Sequence, residues 1–387
     1  MRKFRKVIFW LHLICGSLAG IAIFIMCASG AILSFEKNIL EFAESDMRNV
    51  VPPTGGTRLP FSELTQRLLE QRPNLKPTAV LVESSPSRAV IYSLGREGQI
   101  FVNPYSGEIT GEGLRGLRAV FSKAEDAHRW LALGGSGRAV GKTINDAANF
   151  VFLILAITGV YIWMPRQLNW RHARPNVWFR RGLKGKGRDF NWHNVIGFWM
   201  SLVLIVLTLT GVVISYQWAG NLVYTLTGNQ PPTQQGPPGS VPQNVQIDQP
   251  FSFPANIDEL WHTASNQSPG WKLISLRLPI SKDAVFTIDD GKSLNIFGRS
   301  TLTLDTATTA VNKWEPYEQQ NSGRKLRSWI RFTHTGESFG IIGQLIGFLA
   351  CIGGAFLVYT GLSLALRRLR NWLKRQATRR AVAEQPI

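Results

Sequence analysis

The sequence predicts an α-helical membrane protein, a four-span bundle built from a duplicated span, α+β domain and span. Four apolar stretches are long enough to cross a bilayer, namely 7–34, 144–164, 194–216 and 338–366. Charged residues make up only 18% of the 387-residue chain, against about 25% in soluble proteins. Motifs at the ends of the stretches also occur twice. These observations exclude a wholly soluble protein.

The net charge of +18 is concentrated beside the apolar stretches. Four basic residues and no acid precede the first stretch, residues 165–192 contain eight basic residues and one acid, and residues 367–387 contain seven and one. The long connections 36–127 and 217–337 are almost neutral. This asymmetry is the positive-inside pattern, so both termini and the central basic loop are predicted to be cytoplasmic. Basic clusters next to spans indicate a lipid bilayer with anionic headgroups as the partner, and no nucleic acid.

The chain therefore divides into eight segments, taken here in order. They are the first span (1–35), an outer α+β domain (36–127), the second span (128–164), a basic cytoplasmic loop (165–192), the third span (193–217), a second outer α+β domain (218–333) with a Pro/Gln-rich loop (228–250), the fourth span (334–366) and a basic cytoplasmic tail (367–387).

The first stretch is predicted to be a retained span. Its apolar run is about twice the usual 7–15 residues of a cleaved signal peptide. All three cysteines, Cys15, Cys27 and Cys351, fall inside the predicted spans. The sequence therefore has neither a disulfide framework nor a CxxCH site for attached c-type haem.

Repeated motifs indicate the duplication. The first and third spans begin with a histidine followed four residues later by glycine, and the second and fourth are each preceded by a histidine and Gly-rich sequence. All four spans end in Ser/Thr-Gly. The residues are His12 and Gly16, His193 and Gly197, His128, His334, Ser29-Gly30, Thr158-Gly159, Thr210-Gly211 and Thr360-Gly361. Such a repeat predicts a pseudo-twofold axis along the membrane normal.

The outer connections also resemble each other. Each begins with an amphipathic helix, predicted at 61–70 and 257–265. Three strands follow each helix, predicted at 78–83, 88–94 and 99–102, and at 272–278, 284–288 and 301–305. A turn is predicted at 103–107 (NPYSG).

Four of the six histidines mark the span ends. The repeat and the topology pair His12 with His193 on the cytoplasmic side, and His128 with His334 on the outer side. Two imidazoles facing each other across a bundle are the axial ligands that a six-coordinate b-type haem requires. The sequence thus predicts two haem b groups with these four iron ligands. Zinc or copper fits less well because no carboxylate or thiolate accompanies either pair, and an interfacial role beside aromatic anchors is the other alternative.

Close approach of helices to a flat macrocycle favours glycine beside the ligands, as at Gly16 and Gly197. Nearby aromatic residues could line the slot, namely Trp10, Trp130, Trp192, Phe198 and Trp199. Polar residues near the outer span ends could contact haem propionates or substrate, although hydration of helix ends is the simpler explanation. They are Asn145, Asp146, Asn149 and Gln344.

The remaining histidines, His172 and His262, have no repeat partner and are predicted to be solvated or packed at the surface. Common nucleophile, zinc-protease, P-loop and dinucleotide motifs are missing from the sequence, so no catalytic residue is assigned.

The chain resembles the PepSY-associated transmembrane family, also called iron-regulated membrane proteins, which includes inner-membrane ferric-siderophore reductases of the FoxB type. The signatures that carry the resemblance are 10–16 (WLHLICG), 101–108 (FVNPYSGE), 158–166 (TGVYIWMPR), 193–211 and 334–361. They extend from the first span to the last. One departure is 303–307 (TLDTA), which stands where the first outer domain has its NPYSG turn.

The resemblance implies PepSY-like outer domains, two haems and a place in the bacterial inner membrane. His12 and His193 would hold the cytoplasm-side haem, and His128 and His334 the periplasm-side haem. It also implies reduction of ferric siderophores in the periplasm. The short cytoplasmic segments carry no flavin or NAD(P)H motif, so an unidentified electron donor must be separate. The alternatives are a membrane-anchored PepSY binding or regulatory module without redox activity, such as a peptidase inhibitor or sensor, and a transporter with parallel repeats.

Overall fold

The computed structural model describes residues 2–164, 170–232, 253–291 and 298–383. The chain forms two compact units, each described here by itself. The first comprises 1–34, 123–220 and 330–387, and the second comprises 35–122 and 221–329. The helices are α1 Arg2–Leu33, α2 Glu36–Ala43, α3 Ser45–Arg48, α4 Phe61–Gln71, α5 Arg115–Trp130, α6 Gly137–Trp163, α7 Trp170–Val177, α8 Gly185–Ser215, α9 Gln217–Leu226, α10 Ile257–Gln267, α11 Ser322–His334 and α12 Gly340–Ala383.

Four helices of the first unit, α1, α6, α8 and α12, are long and apolar enough to cross a membrane. This confirms the predicted number of spans. Helices α1 and α8 each pack against both α6 and α12, so α1 and α8 lie diagonally across the bundle. The buried core consists of Ile23, Met26, Cys27, Ala148, Phe152, Leu204 and Ala350. Only 22–33% of the residues in the apolar windows are buried, as expected for helices whose outer faces contact lipid.

The bounds of the spans differ from the prediction at both membrane faces. Helices α1 and α8 begin within the basic segments, because Lys and Arg are good helix formers. His128 and His334 lie at the ends of α5 and α11, which are separate from the spans that follow. Short connections interrupt the chain there, with left-handed backbone at Leu131, Ala132, Gly135 and Gly336.

The second unit contains an eight-stranded antiparallel sheet with the order β4-β3-β2-β1-β5-β6-β7-β8. The strands are β1 Ala79–Glu83, β2 Val90–Ser93, β3 Gln99–Val102, β4 Ile109–Glu112, β5 Leu273–Arg277, β6 Asp283–Asp289, β7 Ser300–Asp305 and β8 Val311–Glu315. The sequence predicts two outer α+β domains, whereas the structure joins their strands through β1 and β5, with Val80 opposite Leu276. The fold is therefore a helical bundle together with a large sheet.

Helices α4 and α10 cover one face of the sheet. In α4 the buried residues Phe61, Leu64 and Leu68 recur at helical spacing, and Ile257 and Leu260 do so in α10. They pack in one core with the inward-facing residues of the strands. Alternate burial along β5, β6 and β7 is the period-two pattern on which the strand predictions depended.

Both predicted helices and all six predicted strands of this unit are present. The edge strands β4 and β8 were not predicted. Their burial does not alternate, because one side of an edge strand has no neighbour.

Each half of the sheet has a turn after its third strand. Asn103 Oδ1 accepts a hydrogen bond from the amide of Tyr105 at 2.9 Å, and Asp305 Oδ1 accepts one from Ala307 at 2.9 Å. The turns close with left-handed backbone at Gly107 and at Thr309. The second turn thus lies at 305–309. The sequence comparison sets residues 303–307 against the NPYSG turn of the first domain, so the observed turn begins two residues later.

Candidate functional site

The four histidines predicted as ligands all belong to the first unit. His12 lies on α1 and His193 on α8, the two diagonal helices. His128 lies in the last turn of α5, and His334 is the last residue of α11. They are named here by the pairing that the repeat predicts, as the His128/His334 pair and the His12/His193 pair.

The structure brings His128 and His334 together. Their ring centroids are 6.3 Å apart, with an angle of 55° between the ring planes. The Nδ1 atoms are bound to the main chain: His128 donates to the carbonyl of Met26 and His334 to that of Leu207, both at 2.9 Å. A carbonyl oxygen only accepts hydrogen bonds, so each Nδ1 carries the proton. The Nε2 atom of each neutral ring is therefore left with a lone pair.

Hydroxyl groups make a second contact with these nitrogens. Ser29 Oγ lies 3.3 Å from Nδ1 of His128, and Thr210 Oγ1 lies 3.0 Å from Nδ1 of His334. Ser29 is on α1 and Thr210 is on α8. Both rings are thus tied to the helices that also carry His12 and His193.

The His12/His193 pair has corresponding contacts. Nδ1 of His12 lies 2.9 Å from Thr158 Oγ1 on α6, and Nδ1 of His193 lies 2.9 Å from Thr360 Oγ1 on α12. Each of these histidines is therefore held by a neighbouring helix of the bundle.

The two pairs occupy different levels of the bundle. His12 and Ser29, which contacts His128, are seventeen residues apart on one helix, or roughly 26 Å along its axis. His193 and Thr210 have the same separation on α8. The apolar bundle core around Phe152 and Leu204 lies between the two levels.

Glycines lie close to the imidazole rings, but they are not the ones predicted. A Cβ atom at Gly30 would lie 3.1 Å from Cε1 of His128, and one at Gly361 would lie 3.3 Å from Cε1 of His193. At Gly16 and Gly197 a Cβ atom would make ordinary contacts of 3.7 and 3.6 Å with leucine side chains.

Among the predicted polar neighbours, Asn145 touches the site directly. Its Nδ2 donates to the carbonyl of His128 at 2.9 Å. The side-chain oxygens of Asn145 and Gln344 are buried and have no hydrogen-bond partner within the described part of the chain. Asn149 donates to Thr208 of α8 at 3.1 Å, and Asp146 pairs with Lys142.

The aromatic residues proposed to line the haem slot make several different contacts in the structure. Trp130 is buried beneath the guanidinium of Arg138, 3.5 Å from its ring centroid. Trp10 lies beneath Arg368, and Phe198 stacks on Trp163. Trp192 packs edge-on against Phe356, whereas Trp199 is 55% exposed on the bundle surface.

His262 lies elsewhere, on α10 in the second unit. It lines a cleft of about 530 Å³ together with Arg58, Phe61, Trp261 and Trp271. The amide of Asn266 lies 3.1 Å from its Nδ1. Helix α7, which carries His172, is described, but the side chain of His172 lies outside the described part of the structure.

Within the described ranges, no three or more His, Cys, Asp or Glu side chains are grouped so as to hold a metal ion. A zinc site of the usual kind takes three or four protein ligands. Each histidine pair offers two, the number that a metal needs when a macrocycle supplies the remaining four.

Sequence reasoning missed the residues that orient the histidines. The Ser/Thr-Gly pairs were recognised as a repeated signal, but their partners were not, because each hydroxyl meets a histidine from a different helix. The spacing along one helix gives no information about that contact.

The profile of the protein family described as "PepSY-associated TM region" matches residues 9–368. The match covers nearly the whole chain and includes all four paired histidines. A search of curated proteins gives no match.

Proposed function

The chain belongs to the family of the PepSY-associated TM region, and we propose that it is a two-haem b-type cytochrome of the bacterial inner membrane. In this function it passes electrons across the membrane and reduces ferric siderophores in the periplasm, as the resemblance to FoxB-type reductases implies. The observation that carries the proposal is the geometry of His128 and His334, two neighbouring rings that each keep an unprotonated Nε2 atom.

The separation of these rings fits a haem iron. With metal–imidazole bonds of about 2 Å, the length found in histidine–zinc sites, two imidazoles on opposite faces of one iron have centroids roughly 6 Å apart. The observed separation is 6.3 Å. When bound, haem supplies an iron that gains and loses one electron at a time.

The protonated Nδ1 atoms support the same assignment. A histidine that binds a metal commonly donates its other ring N–H to a carbonyl or carboxylate, which fixes the tautomer and the ring orientation. His128 and His334 make this contact with Met26 and Leu207. His12 and His193 make their corresponding contacts with hydroxyl groups.

Two levels of histidines suit transfer across a bilayer. The roughly 26 Å along α1 between His12 and the contact with His128 is comparable to the ~30 Å hydrocarbon core of a bilayer. The positive-inside pattern supports a cytoplasmic position for the His12/His193 pair and a periplasmic position for the His128/His334 pair. The helices around the bundle core exclude water between the levels.

The duplication belongs to this proposal. Its support is that the equivalent histidines contact equivalent hydroxyls, and that each half of the sheet adds its strands outward from the centre in the same order. Irregular pairing also occurs at matching places, at Phe101/Val102 and at Thr303/Leu304. We infer a pseudo-twofold relation that makes the two ligands of each haem equivalent.

Ferric siderophores are the proposed substrates because their chemistry suits one-electron reduction. Hydroxamate and catecholate oxygens are hard ligands that favour Fe(III), so reduction to Fe(II) weakens the chelate and releases iron. The electron comes from a separate donor on the cytoplasmic side, such as a reductase, a ferredoxin or a quinol.

A membrane-anchored binding or regulatory module is the second candidate. The cleft of about 530 Å³ in the second unit favours it, since Phe61, Trp261 and Trp271 offer apolar surface beside polar groups. In this function the histidines would hold no haem.

The double substitution His128→Ala with His334→Ala tests the proposal. We expect the variant to lose one of two haem signals and to lose ferric-siderophore reduction. The control is His262→Ala, which alters a histidine outside the two pairs and should retain both haem signals and the reduction. Haem content and reduced-minus-oxidised absorbance of the purified chains are the measurements. Retention of both signals and of reduction in the double variant would refute the proposal.

A further inference from the structure

We propose that the Ser/Thr-Gly pairs of the bundle are positioning elements for the four histidines, and that Thr158 sets the reduction potential of the haem held by His12 and His193. This inference rests on the proposed function. It begins with a regularity: every paired histidine directs Nδ1 at a hydroxyl that is followed by glycine. The matches are His12 with Thr158-Gly159, His128 with Ser29-Gly30, His193 with Thr360-Gly361 and His334 with Thr210-Gly211.

The four hydroxyl groups already use their protons in hydrogen bonds within their own helices. Each hydroxyl donates to the carbonyl four residues earlier in its own helix. The distances are 2.6 Å for Ser29, 2.7 Å for Thr158, 2.7 Å for Thr210 and 2.8 Å for Thr360. A hydroxyl has one proton, so toward the imidazole it can only accept. All four Nδ1 atoms must therefore donate, and all four Nε2 atoms keep a lone pair for a metal.

At two of the pairs the glycine that follows makes room for the ring. Cβ atoms at Gly30 and Gly361 would lie 3.1 and 3.3 Å from Cε1 of His128 and His193, whereas one at Gly159 would make an ordinary contact of 3.5 Å with Cε1 of His12. Gly211 differs, because a Cβ atom there would instead lie 2.9 Å from Nδ2 of Asn149. In two of the four pairs, hydroxyl and glycine thus hold the same ring.

The four histidines differ in the other acceptors that their Nδ1 atoms contact. His128 and His334 also donate to carbonyls at 2.9 Å, so each would keep an acceptor without its hydroxyl. His193 also approaches the carbonyl of Leu357. For His12, Thr158 is the acceptor, and no carbonyl among the described residues replaces it. Thr158 is therefore the hydroxyl whose removal has the largest expected effect.

Removal of the Thr158 hydroxyl should shift the reduction potential in one direction. An acceptor at Nδ1–H makes the imidazole a more basic ligand, and a more basic ligand stabilises ferric over ferrous iron. Its loss should raise the reduction potential. Outer partners of this kind typically change metal affinity by about 10–100-fold. A tenfold change in the ferric-to-ferrous preference corresponds to about 59 mV for one electron.

The test is a potentiometric titration of the full-length purified chain, followed by absorbance, for Thr158→Val, Thr158→Ser and Thr208→Val. Thr208→Val is the matched control, because Thr208 is buried in the same bundle and its hydroxyl donates to Leu204, with no hydrogen bond to a histidine among the described residues. We expect Thr158→Val to raise one midpoint by about 60 mV or more. Thr158→Ser, which keeps the hydroxyl, and Thr208→Val should stay near the native values.

Loss of one haem from Thr158→Val, with retention in Thr158→Ser and Thr208→Val, would also support the positioning role. Unchanged midpoints in Thr158→Val, or an equal shift in Thr208→Val, would overturn it. A haem-free native chain would overturn the proposed function itself, whereas a haem-bearing native chain with an unshifted Thr158→Val overturns only this inference.

Discussion

Ser29, Thr158, Thr210 and Thr360 share one local geometry, in which a hydroxyl bonded to its own helix accepts from a histidine of another. The sequence identifies the four histidines and the four Ser/Thr-Gly pairs, because both recur in the repeat. It does not predict which hydroxyl meets which histidine. The partners are 99 to 167 residues apart, so the contacts depend on how the helices are arranged.

Gly30→Ala should disturb the His128/His334 pair selectively. A Cβ atom there would lie 3.1 Å from both His128 Cε1 and Cys351 Sγ, so the imidazole must move from its position opposite His334. We expect loss or weakening of one of the two haem signals, measured by absorbance and haem content.

Gly116→Ala is the control for this substitution, because Gly116 is on α5 with His128, and a Cβ atom there would have no described residue outside its own helical turn within 4 Å. Equal haem content in Gly30→Ala and the native chain would show that close packing at Gly30 does not hold the ring.

At the scale of the elements, hydrophobic pattern was a good guide to the spans and to the buried strands. The pattern did not predict the edge strands, which have a neighbour on one side only, or the helix break that depends on local backbone conformation. The edge strands β4 and β8 lack alternation. The break between α5 and α6 depends on left-handed backbone at Leu131 and Ala132, which these residue types do not signal. The joining of the two sets of strands through β1 and β5 is a non-local contact that no motif indicates.

Leu276→Ala should weaken both halves of the sheet. Leu276 is fully buried on β5 and pairs with Val80 across the central junction. Removing its side chain from the shared core should cost about 2–5 kcal/mol of the unit's unfolding free energy. Hydrogen–deuterium exchange should therefore become faster in β1–β4 as well as in β5–β8.

Val311→Ala provides the comparison, because Val311 is 48% exposed on the edge strand β8. Its effect should stay within about 0.5 kcal/mol. Faster exchange confined to β5–β8 in Leu276→Ala would show that the halves open independently, contrary to a single cooperative sheet.

At the scale of the whole molecule, the charge distribution, the family match and the two histidine levels agree on one plan. Basic segments adjoin the ends of α1, α8 and α12, and the PepSY-associated match includes all four spans. The proposed electron relay uses the bundle to hold one histidine pair near each membrane face. Composition was enough to predict the four spans, which the structure confirms, because span number depends on apolar stretches that can be read along the sequence. The sidedness and the relay stay predictions.

The most direct test of the relay is a dithionite-reduced minus oxidised absorbance spectrum of the detergent-purified chain, with haem quantified per polypeptide. We expect sharp b-type bands and about two haems per chain, since in the proposed function each histidine pair would hold one haem. A colourless protein, expressed with haem available, would contradict the relay and leave the binding module as the function to pursue.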